Sequence, residues 1–245
     1  MHRFYLDSSA IQNNSVYFPN DISSQIKRVL RLRIGDEVIV FNGDGFDYKV
    51  VLEVVDTKTS IGVIISTVNS LKEPEIFITL YQALLRPERY EYALQKGVDV
   101  GISKFVPFTS ERTEFSDPGD SKITRWKRII KEASEQSGRS LVPQLSQTIE
   151  FSDLITNFNP VALIPWEEEK EESISSILSD LNRNQVMKGS SIDIIIGPAG
   201  GFTPEEVSDA VGSGAISVSL GGRILRAETA GIVAAVAVLY EFKDM

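Results

Sequence analysis

Two glycine-rich segments near the carboxyl end of the chain decide which fold the sequence predicts. The first, IIIGPAGGFTPEE, covers residues 194–206, and the second, VSLGGRILRAETA, covers residues 218–230. Each begins with apolar residues typical of a buried strand, passes through glycines and leads into a helical pattern. Thr203, Pro204 and Glu206 form the capping box that opens such a helix. Two strand ends of this kind favour a ligand site at one edge of a parallel sheet, where glycine lets the backbone approach a ligand.

Upstream of these segments, from about residue 73, short apolar strands alternate with helical patterns. The helices are predicted to begin at Pro87 and near Asp120, and the acidic run 167–172 is predicted to begin a solvated helix. The predicted strands cover residues 76–82, 104–108, 161–165, 192–196 and 216–220. Alternation of this kind predicts a mostly parallel sheet with helices on both faces.

The first 72 residues show a different pattern, dominated by short β-rich runs. Strand candidates at residues 37–41 and 46–55 flank the hairpin-turn sequence NGDG at 42–45, and a further strand is predicted at 61–68. The one helical stretch, residues 21–32, is predicted to be capped by Asn20 or Asp21. A small β-barrel fits this pattern. The sequence therefore predicts two domains, residues 1–72 and residues 73–245.

Composition excludes several classes of function. The 245 residues include no cysteine, which rules out thiol catalysis and cysteine-ligated metal, and His2 is the only histidine. There is no P-loop, and the segment ALLRP at 83–87, after the first strand of the α/β domain, lacks the glycines of a dinucleotide-binding fingerprint. No signal peptide pattern opens the chain, and the apolar runs fall short of the roughly 20 residues that span a bilayer. We expect a cytoplasmic protein without metal or membrane.

The net charge of −9 hides two basic clusters. Local potential matters more than net charge for attracting phosphates, although each cluster alone is typical of a solvated helix face. Trp126, at helical spacing with Ile129 and Ile130, is predicted to lie in the core. The clusters consist of Lys27, Arg28, Arg31 and Arg33, and of Lys122, Arg125, Lys127, Arg128 and Lys131.

The glycine-rich segments resemble the paired C-terminal motifs of the RsmE-like 16S ribosomal RNA uracil-N3 methyltransferases, which belong to the SPOUT class of trefoil-knotted enzymes. Shorter blocks in the same order extend the resemblance over essentially the whole chain. These blocks are HRF at 2–4, RVLR at 28–31 with Gly35 and Asp36, QALL at 82–85, QK at 95–96 with Gly101, SER at 110–112, RW at 125–126 and EQSGR at 135–139.

The resemblance implies an α/β protein, with a C-terminal parallel-sheet SPOUT domain that contains a deep trefoil knot, and a small N-terminal PUA-like β-barrel. It implies S-adenosyl-L-methionine-dependent methylation of N3 of a uridine in 16S ribosomal RNA, free or in the small ribosomal subunit, by a homodimer. Arg223 and Arg226 would stabilise negative charge on the base or hold flanking phosphates, and Glu228 would orient an arginine or accept the proton. A role in helix N-terminal electrostatics is open for Arg226 and Glu228.

Two further groups of residues follow from the same resemblance. The cofactor would contact Leu163, Pro165, Ile196, Gly197, Pro198, Gly200, Gly201, Leu220, Gly221, Ile224 and Leu225. The RNA would contact Arg3, Lys27, Arg28, Arg31, Arg112, Arg125 and Arg139.

The chain departs from the family pattern at two positions of the glycine-rich segments. Ala199 stands where the family usually has Glu, and Ala227 where it usually has Thr; residues 97–101 (GVDVG) also differ. Loss of the acidic group at Ala199 leaves open an inactive RNA-binding module of the same fold. The sequence is also compatible with a SPOUT methyltransferase that acts on another tRNA or rRNA target. A metabolic α/β enzyme with a small substrate is disfavoured by the missing cofactor fingerprints and the attached barrel.

Overall fold

The computed structural model describes residues 1–69, 73–115, 118–184 and 189–245. These residues form two compact units. The first consists of Met1–Glu73 and Ser134–Val142, and the second of Pro74–Ala133 and Pro143–Met245. Ser134–Val142 therefore groups with the amino-terminal residues, although it lies far beyond residue 72 in the chain.

The first unit is built on a curled six-stranded sheet with the strand order β1-β4-β5-β6-β3-β2. Neighbouring strands are antiparallel, except that β1 and β4 are parallel. Two register shifts between β5 and β6 bend these long strands, as bulges do. Alternate residues such as Val38 and Val40 point into the core. The strands are β1 (Arg3–Tyr5), β2 (Ile11–Gln12), β3 (Ser15–Phe18), β4 (Glu37–Phe41), β5 (Phe46–Val54) and β6 (Ser60–Asn69).

The helix predicted at residues 21–32 is shorter and differently capped. Helix α1 (Asn20–Ser24) has Pro19 at its N-cap and no side-chain cap, so the predicted cap at Asn20 or Asp21 is wrong. The fixed φ of proline lets it end the preceding extended segment without a capping side chain. A π-helical turn, Gln25–Val29, follows and buries Ile26.

The second unit contains a seven-stranded sheet in which every pairing is parallel. The order is β10-β8-β7-β12-β11-β13, with β9 also paired to β8. Its strands are β7 (Phe77–Ala83), β8 (Lys104–Thr109), β9 (Gln144–Leu145), β10 (Ile149–Glu150), β11 (Ala162–Pro165), β12 (Ser191–Ile196) and β13 (Ile216–Val218). The helices are α2 (Pro87–Val100), α3 (Asp120–Ser137), α4 (Phe151–Leu154), α5 (Ile174–Asn184), α6 (Pro204–Gly212) and α7 (Ala227–Glu241). The last residues of α3, from Ser134, belong to the first unit.

The predicted parallel α/β architecture is confirmed, and the differences are local. The helix predicted to begin in residues 167–172 is wrong: these residues form turns, and α5 begins at Ile174. The Glu169 carboxylate instead accepts the backbone N–H groups of Glu171 and Glu172. Trp126 is buried and stacks on Tyr90 with ring centroids 4.2 Å apart, which confirms the prediction that it belongs to the core.

The strand order explains where a site can form. The central strand β12 lies between β7 and β11, and its residues Ile194, Ile195 and Ile196 are buried on both faces. In a parallel sheet, the loops that follow β7, β11, β12 and β13 all leave from the same edge. The capping box predicted at α6 is present: Glu206 N–H donates to Thr203 Oγ1, and Thr203 N–H donates to Glu206 Oε2.

Candidate functional site

A cavity of about 630 Å³ lies at this carboxyl edge of the parallel sheet. Its volume falls within the range of small-molecule sites, roughly 300 to 1,000 Å³. The lining comes chiefly from the loops that follow β11, β12 and β13, with Arg89 of α2 and the first residues of α7. Three strand ends therefore supply most of the cavity lining, and the two glycine-rich segments follow two of them, β12 and β13.

Most of the residues predicted to bind the cofactor line this cavity. Leu163 does not, because it is fully buried and pairs with Ile194 and Ile216 within the sheet. Gly200 is also absent from the lining, and its Cα faces the side chain of Arg112. The predicted residues that line the cavity are Pro165, Ile196, Gly197, Pro198, Gly201, Leu220, Gly221, Ile224 and Leu225.

The two predicted catalytic arginines also line the cavity, whereas Glu228 does not. Arg223 and Arg226 are exposed, and neither forms an ion pair with another described side chain. Glu228 is only 8% exposed, and its Oε1 lies 3.7 Å from Nε of Arg89. Glu228 therefore faces an arginine that lines the cavity and contributes no lining surface itself.

Arg89 is a cavity residue that the sequence prediction missed. It lies in the first turn of α2, which follows β7. Because β7 pairs with β12, the start of α2 comes to the same edge as the glycine loop after Ile196. The short connection at residues 84–86 shows from the sequence that Arg89 lies close to the end of β7. Placing Arg89 at the cavity also requires knowing that β7 is the neighbour of β12.

Two acidic residues of the loop after β11 also line the cavity and were not predicted. A Cβ built on Gly201 would overlap Oε1 of Glu167, and the φ of Gly201 is +72°. The backbone N–H of Glu171, followed by that of Glu172, holds the pKa of Glu169 below its usual value. Glu169 is therefore anionic at neutral pH, and the cavity combines carboxylates with Arg89, Arg223 and Arg226.

The residues predicted to bind RNA fall into two groups, the first of which is exposed. Lys27, Arg28 and Arg31 lie on the surface of the first unit, and Lys27 Nζ is 3.5 Å from Asp56. In the second unit, Arg125 is exposed and forms a bidentate pair with Glu91, with Nη2 at 2.7 Å from Oε2. Arg112 is exposed and donates to backbone carbonyls.

Arg3 and Arg139 are the second group, and both have intramolecular partners within the first unit. Arg3 forms a bidentate pair with Asp47 at 2.6 and 2.8 Å. Arg139 is buried, and its Nε and Nη2 donate to Glu73 at 3.0 and 2.8 Å. These ion pairs stabilise the first unit. Contact with RNA would require exposed guanidinium groups, and these two are engaged within the protein.

The described residues include no group of three or more His, Cys, Asp or Glu side chains placed to hold a metal ion. Within that part of the chain, no helix is both long and apolar enough to cross a membrane.

Two family models match separate parts of the chain. Residues 72–239 match the family model described as an RNA methyltransferase domain, and residues 20–65 match the RNA methyltransferase PUA domain. The chain is 32% identical over 221 residues to the ribosomal RNA small subunit methyltransferase E of Bacillus subtilis, covering 88% of this chain and 86% of that protein.

Two solved structures are similar over nearly the whole chain. The ribosomal RNA small subunit methyltransferase E of Neisseria gonorrhoeae, bound to S-adenosyl methionine, has a TM-score of 0.86 at 28% identity, covering 98% of this chain and 97% of that one. A putative methyltransferase of Legionella pneumophila in complex with the same cofactor has a TM-score of 0.85 at 27% identity, covering 97% and 96%.

The fold and the site thus define a methyltransferase domain of the SPOUT type joined to a PUA domain. The chain belongs to the family of RNA methyltransferases that includes the ribosomal RNA small subunit methyltransferases E. This confirms the family that the glycine-rich segments predicted.

Proposed function

We propose that the chain transfers a methyl group from S-adenosyl-L-methionine to N3 of a uridine in 16S ribosomal RNA. The observation that carries this proposal is the cavity at the carboxyl edge of the sheet, which joins glycine loops and carboxylates with Arg223 and Arg226, two arginines without an ion-pair partner among the described residues. The names of the relatives support a ribosomal RNA substrate, and the bound cofactor of two structural neighbours supports the methyl donor.

The cavity residues fit this cofactor. Ile196, Leu220 and Leu225 offer apolar surface for an adenine ring. Gly221 has a φ of +106° and no atom within 4 Å of a Cβ position, so a ligand can approach its backbone closely. The anionic Glu169 suits a ligand that carries positive charge. When bound, S-adenosyl-L-methionine supplies an electrophilic methyl group on a sulfonium.

Ala199 lines the cavity with a methyl group where the family usually has a carboxylate. Glu167 and Glu169 line the same cavity, so its acidic character is retained from a different loop. This observation weighs against an inactive RNA-binding module.

The arginines of the cavity fit the acceptor half of the reaction. N3 of uracil must lose its proton before or during attack, and negative charge then spreads to O2 and O4 of the base. Arg89, Arg223 and Arg226 place positive charge where it can stabilise this anion or hold a flanking phosphate. Alignment of donor and acceptor supplies the rest of the rate enhancement.

The position of N3 sets a requirement on the RNA. It lies on the Watson–Crick edge, so the uridine must be unpaired or turned out of a helix. Contacts beyond one base are then needed. The exposed cations Lys27, Arg28 and Arg31 of the PUA unit, and Arg125 of the methyltransferase unit, are our candidates for the phosphate backbone.

We also infer that the chain acts as a homodimer. Ile224, in a cavity loop, is 85% exposed, and Val233 and Tyr240 of α7 are exposed as well. Exposed large apolar side chains favour a protein interface, which sedimentation analysis of the purified chain would test. Ribosomal RNA as substrate implies action in the cytoplasm.

The test is a methyl-transfer assay with labelled cofactor, offering small ribosomal subunits and free 16S RNA that lack the modification. Mass analysis of the digested nucleosides should identify 3-methyluridine with wild type and with the surface control Lys58→Ala, and a loss of at least about tenfold with Arg223→Ala. A methylated nucleoside of another kind, or label in tRNA only, would contradict the proposed target. Absence of both transfer and cofactor binding would favour the inactive module.

A further inference from the structure

A tight turn after β8 lies against the glycine loop that follows β12. This turn, residues 110–113, is closed by two hydrogen bonds: Thr113 N–H donates to the Ser110 carbonyl at 3.0 Å, and Ser110 N–H donates to Thr113 Oγ1 at 2.8 Å. Its backbone is therefore fixed locally, and the side chain of Arg112 extends from a rigid support.

Arg112 bonds directly to the loop that forms one wall of the cavity. Its Nη1 donates to the carbonyl oxygens of Gly200 at 3.1 Å and of Phe202 at 3.3 Å. The rest of the side chain packs on Gly200, where a Cβ would lie 3.4 Å from Arg112 Cβ and 3.6 Å from its Cδ. We call residues 197–202 the cofactor loop.

The position of Gly200 shows which side of the loop Arg112 occupies. Gly197, Pro198, Ala199, Gly201 and Phe202 all line the cavity, whereas Gly200 does not. Arg112 is also absent from the lining. The guanidinium therefore holds the cofactor loop from outside the cavity, through the carbonyl of Gly200, which faces away from it, and through the carbonyl of Phe202.

A second contact connects the turn to the start of α6, directly after the cofactor loop, and here the turn is the donor. Glu206, buried at the start of α6, accepts the N–H of Glu111 on Oε1 at 2.9 Å and the N–H of Thr203 on Oε2 at 2.9 Å. The turn at residues 110–113 and the loop are thus joined by an arginine that donates to two carbonyls and a carboxylate that accepts two amides. Hydrogen bonds in which one partner is charged are stronger than neutral ones.

We propose that Arg112 is a positioning residue that holds the cofactor loop in its binding conformation, in place of the RNA contact that the sequence resemblance implied. The inference rests on the proposed function in taking S-adenosyl-L-methionine as the ligand. Without the guanidinium, the carbonyls of Gly200 and Phe202 would turn to water and the loop would sample more conformations. Binding would then have to order the loop, which lowers affinity.

The experiment compares Arg112→Ala and Arg112→Lys with wild type and with Lys58→Ala, an exposed charge in the first unit. Calorimetry with S-adenosyl-L-methionine should show affinity about tenfold weaker for Arg112→Ala. Arg112→Lys should be weakened as well, because Nη1 reaches both carbonyls from a rigid planar guanidinium, whereas the lysine ammonium sits on a flexible stem and is more strongly hydrated. Hydrogen exchange without cofactor should become faster in peptides that cover residues 197–206, and only there.

If exchange and cofactor affinity stay at wild-type values while the slope of log RNA affinity against log salt falls by about one, Arg112 is a phosphate contact and the inference is wrong. If wild type binds no S-adenosyl-L-methionine, the proposed function fails, and hydrogen exchange alone decides the inference. Should Arg112→Ala fail to fold, Arg112→Lys, which keeps the charge, gives the same comparison.

Discussion

Nε of Arg89 lies 3.7 Å from Oε1 of Glu228, a buried carboxylate in the first turn of α7. The other carboxylate oxygen, Oε2, is also buried and has no hydrogen-bond partner among the described residues. The pair is thus held by charge without a close hydrogen bond. Such a pair offsets only part of the free energy lost when the carboxylate leaves water. The buried carboxylate of Glu228 therefore lowers the stability of the fold. Because Arg89 lines the cavity, we interpret Glu228 as the group that directs Arg89 toward the substrate.

The variant Glu228→Gln should separate stability from activity. Removing a poorly satisfied buried charge should leave the melting temperature equal to or above that of wild type. Arg89 would lose the charge that faces it, and kcat for methyl transfer should fall by about tenfold, or ~1.4 kcal/mol of transition-state stabilisation. The matched control is Glu88→Gln, an exposed carboxylate next to Arg89 on α2. Unchanged kcat in Glu228→Gln would show that Glu228 has no role in positioning Arg89.

Most residues that the sequence assigned to the candidate site line one cavity, because they directly follow buried strands. The residues of the two glycine loops follow buried strands directly, so their place at the sheet edge follows from the pattern alone. Arg89 could not be found in this way, because it reaches the cavity only through the pairing of β7 with β12.

The basic residues show a second limit of the sequence. Arg3 and Arg139 have the same chemistry as an exposed phosphate-binding arginine, but their partners Asp47 and Glu73 lie 44 and 66 residues away along the chain. Charge clustering therefore predicted the exposed group at Lys27, Arg28 and Arg31, and it could not identify which arginines are engaged in buried ion pairs.

The adjacent glycines 200 and 201 should respond differently to the same substitution. Gly201 has a φ of +72°, so Gly201→Ala imposes backbone strain of about 1 kcal/mol or more and displaces Glu167. A methyl group on Gly200 meets Arg112 at 3.4 Å, which the arginine can accommodate by a small shift. We expect cofactor affinity to fall at least about fivefold in Gly201→Ala and to change by less than about twofold in Gly200→Ala. Calorimetry would contradict the assignment if the order were reversed.

Tyr90 carries a buried polar group that the fold does not use. Its hydroxyl has no hydrogen-bond partner in the described part of the chain, its ring is fully buried against Trp126, and burial raises its pKa. Tyr90→Phe keeps the stacked ring and removes the unsatisfied hydroxyl, so we expect the free energy of unfolding to rise by about 1 kcal/mol. Denaturant unfolding measures this change, and Tyr92→Phe, at an exposed position of the same helix, serves as the control. A loss of stability in Tyr90→Phe would indicate that the hydroxyl has a partner.

Asp193 should make stability depend on pH in acid. It is fully buried in β12, where its carboxylate accepts the N–H and the side-chain amide of Asn159 at 2.7 and 2.8 Å. Burial raises its pKa above the ordinary 3.8, and this effect outweighs the lowering by those bonds, by Thr79 and by Lys104. A raised pKa in the folded state means that folding favours the protonated form.

The sign of the effect follows from this difference. Between pH 3.8 and the folded-state pKa, the folded protein binds more protons at Asp193 than the unfolded chain does. The contribution of Asp193 to stability is therefore greatest below pH 3.8, falls as the pH rises through this window and is constant above it. Melting temperatures of wild type and Asp193→Asn across this range should differ most in favour of wild type at the acid end. Asp153→Asn, an exposed carboxylate, gives the baseline for removing one negative charge. A difference that grows with rising pH would mean that hydrogen bonding, and not burial, dominates at Asp193.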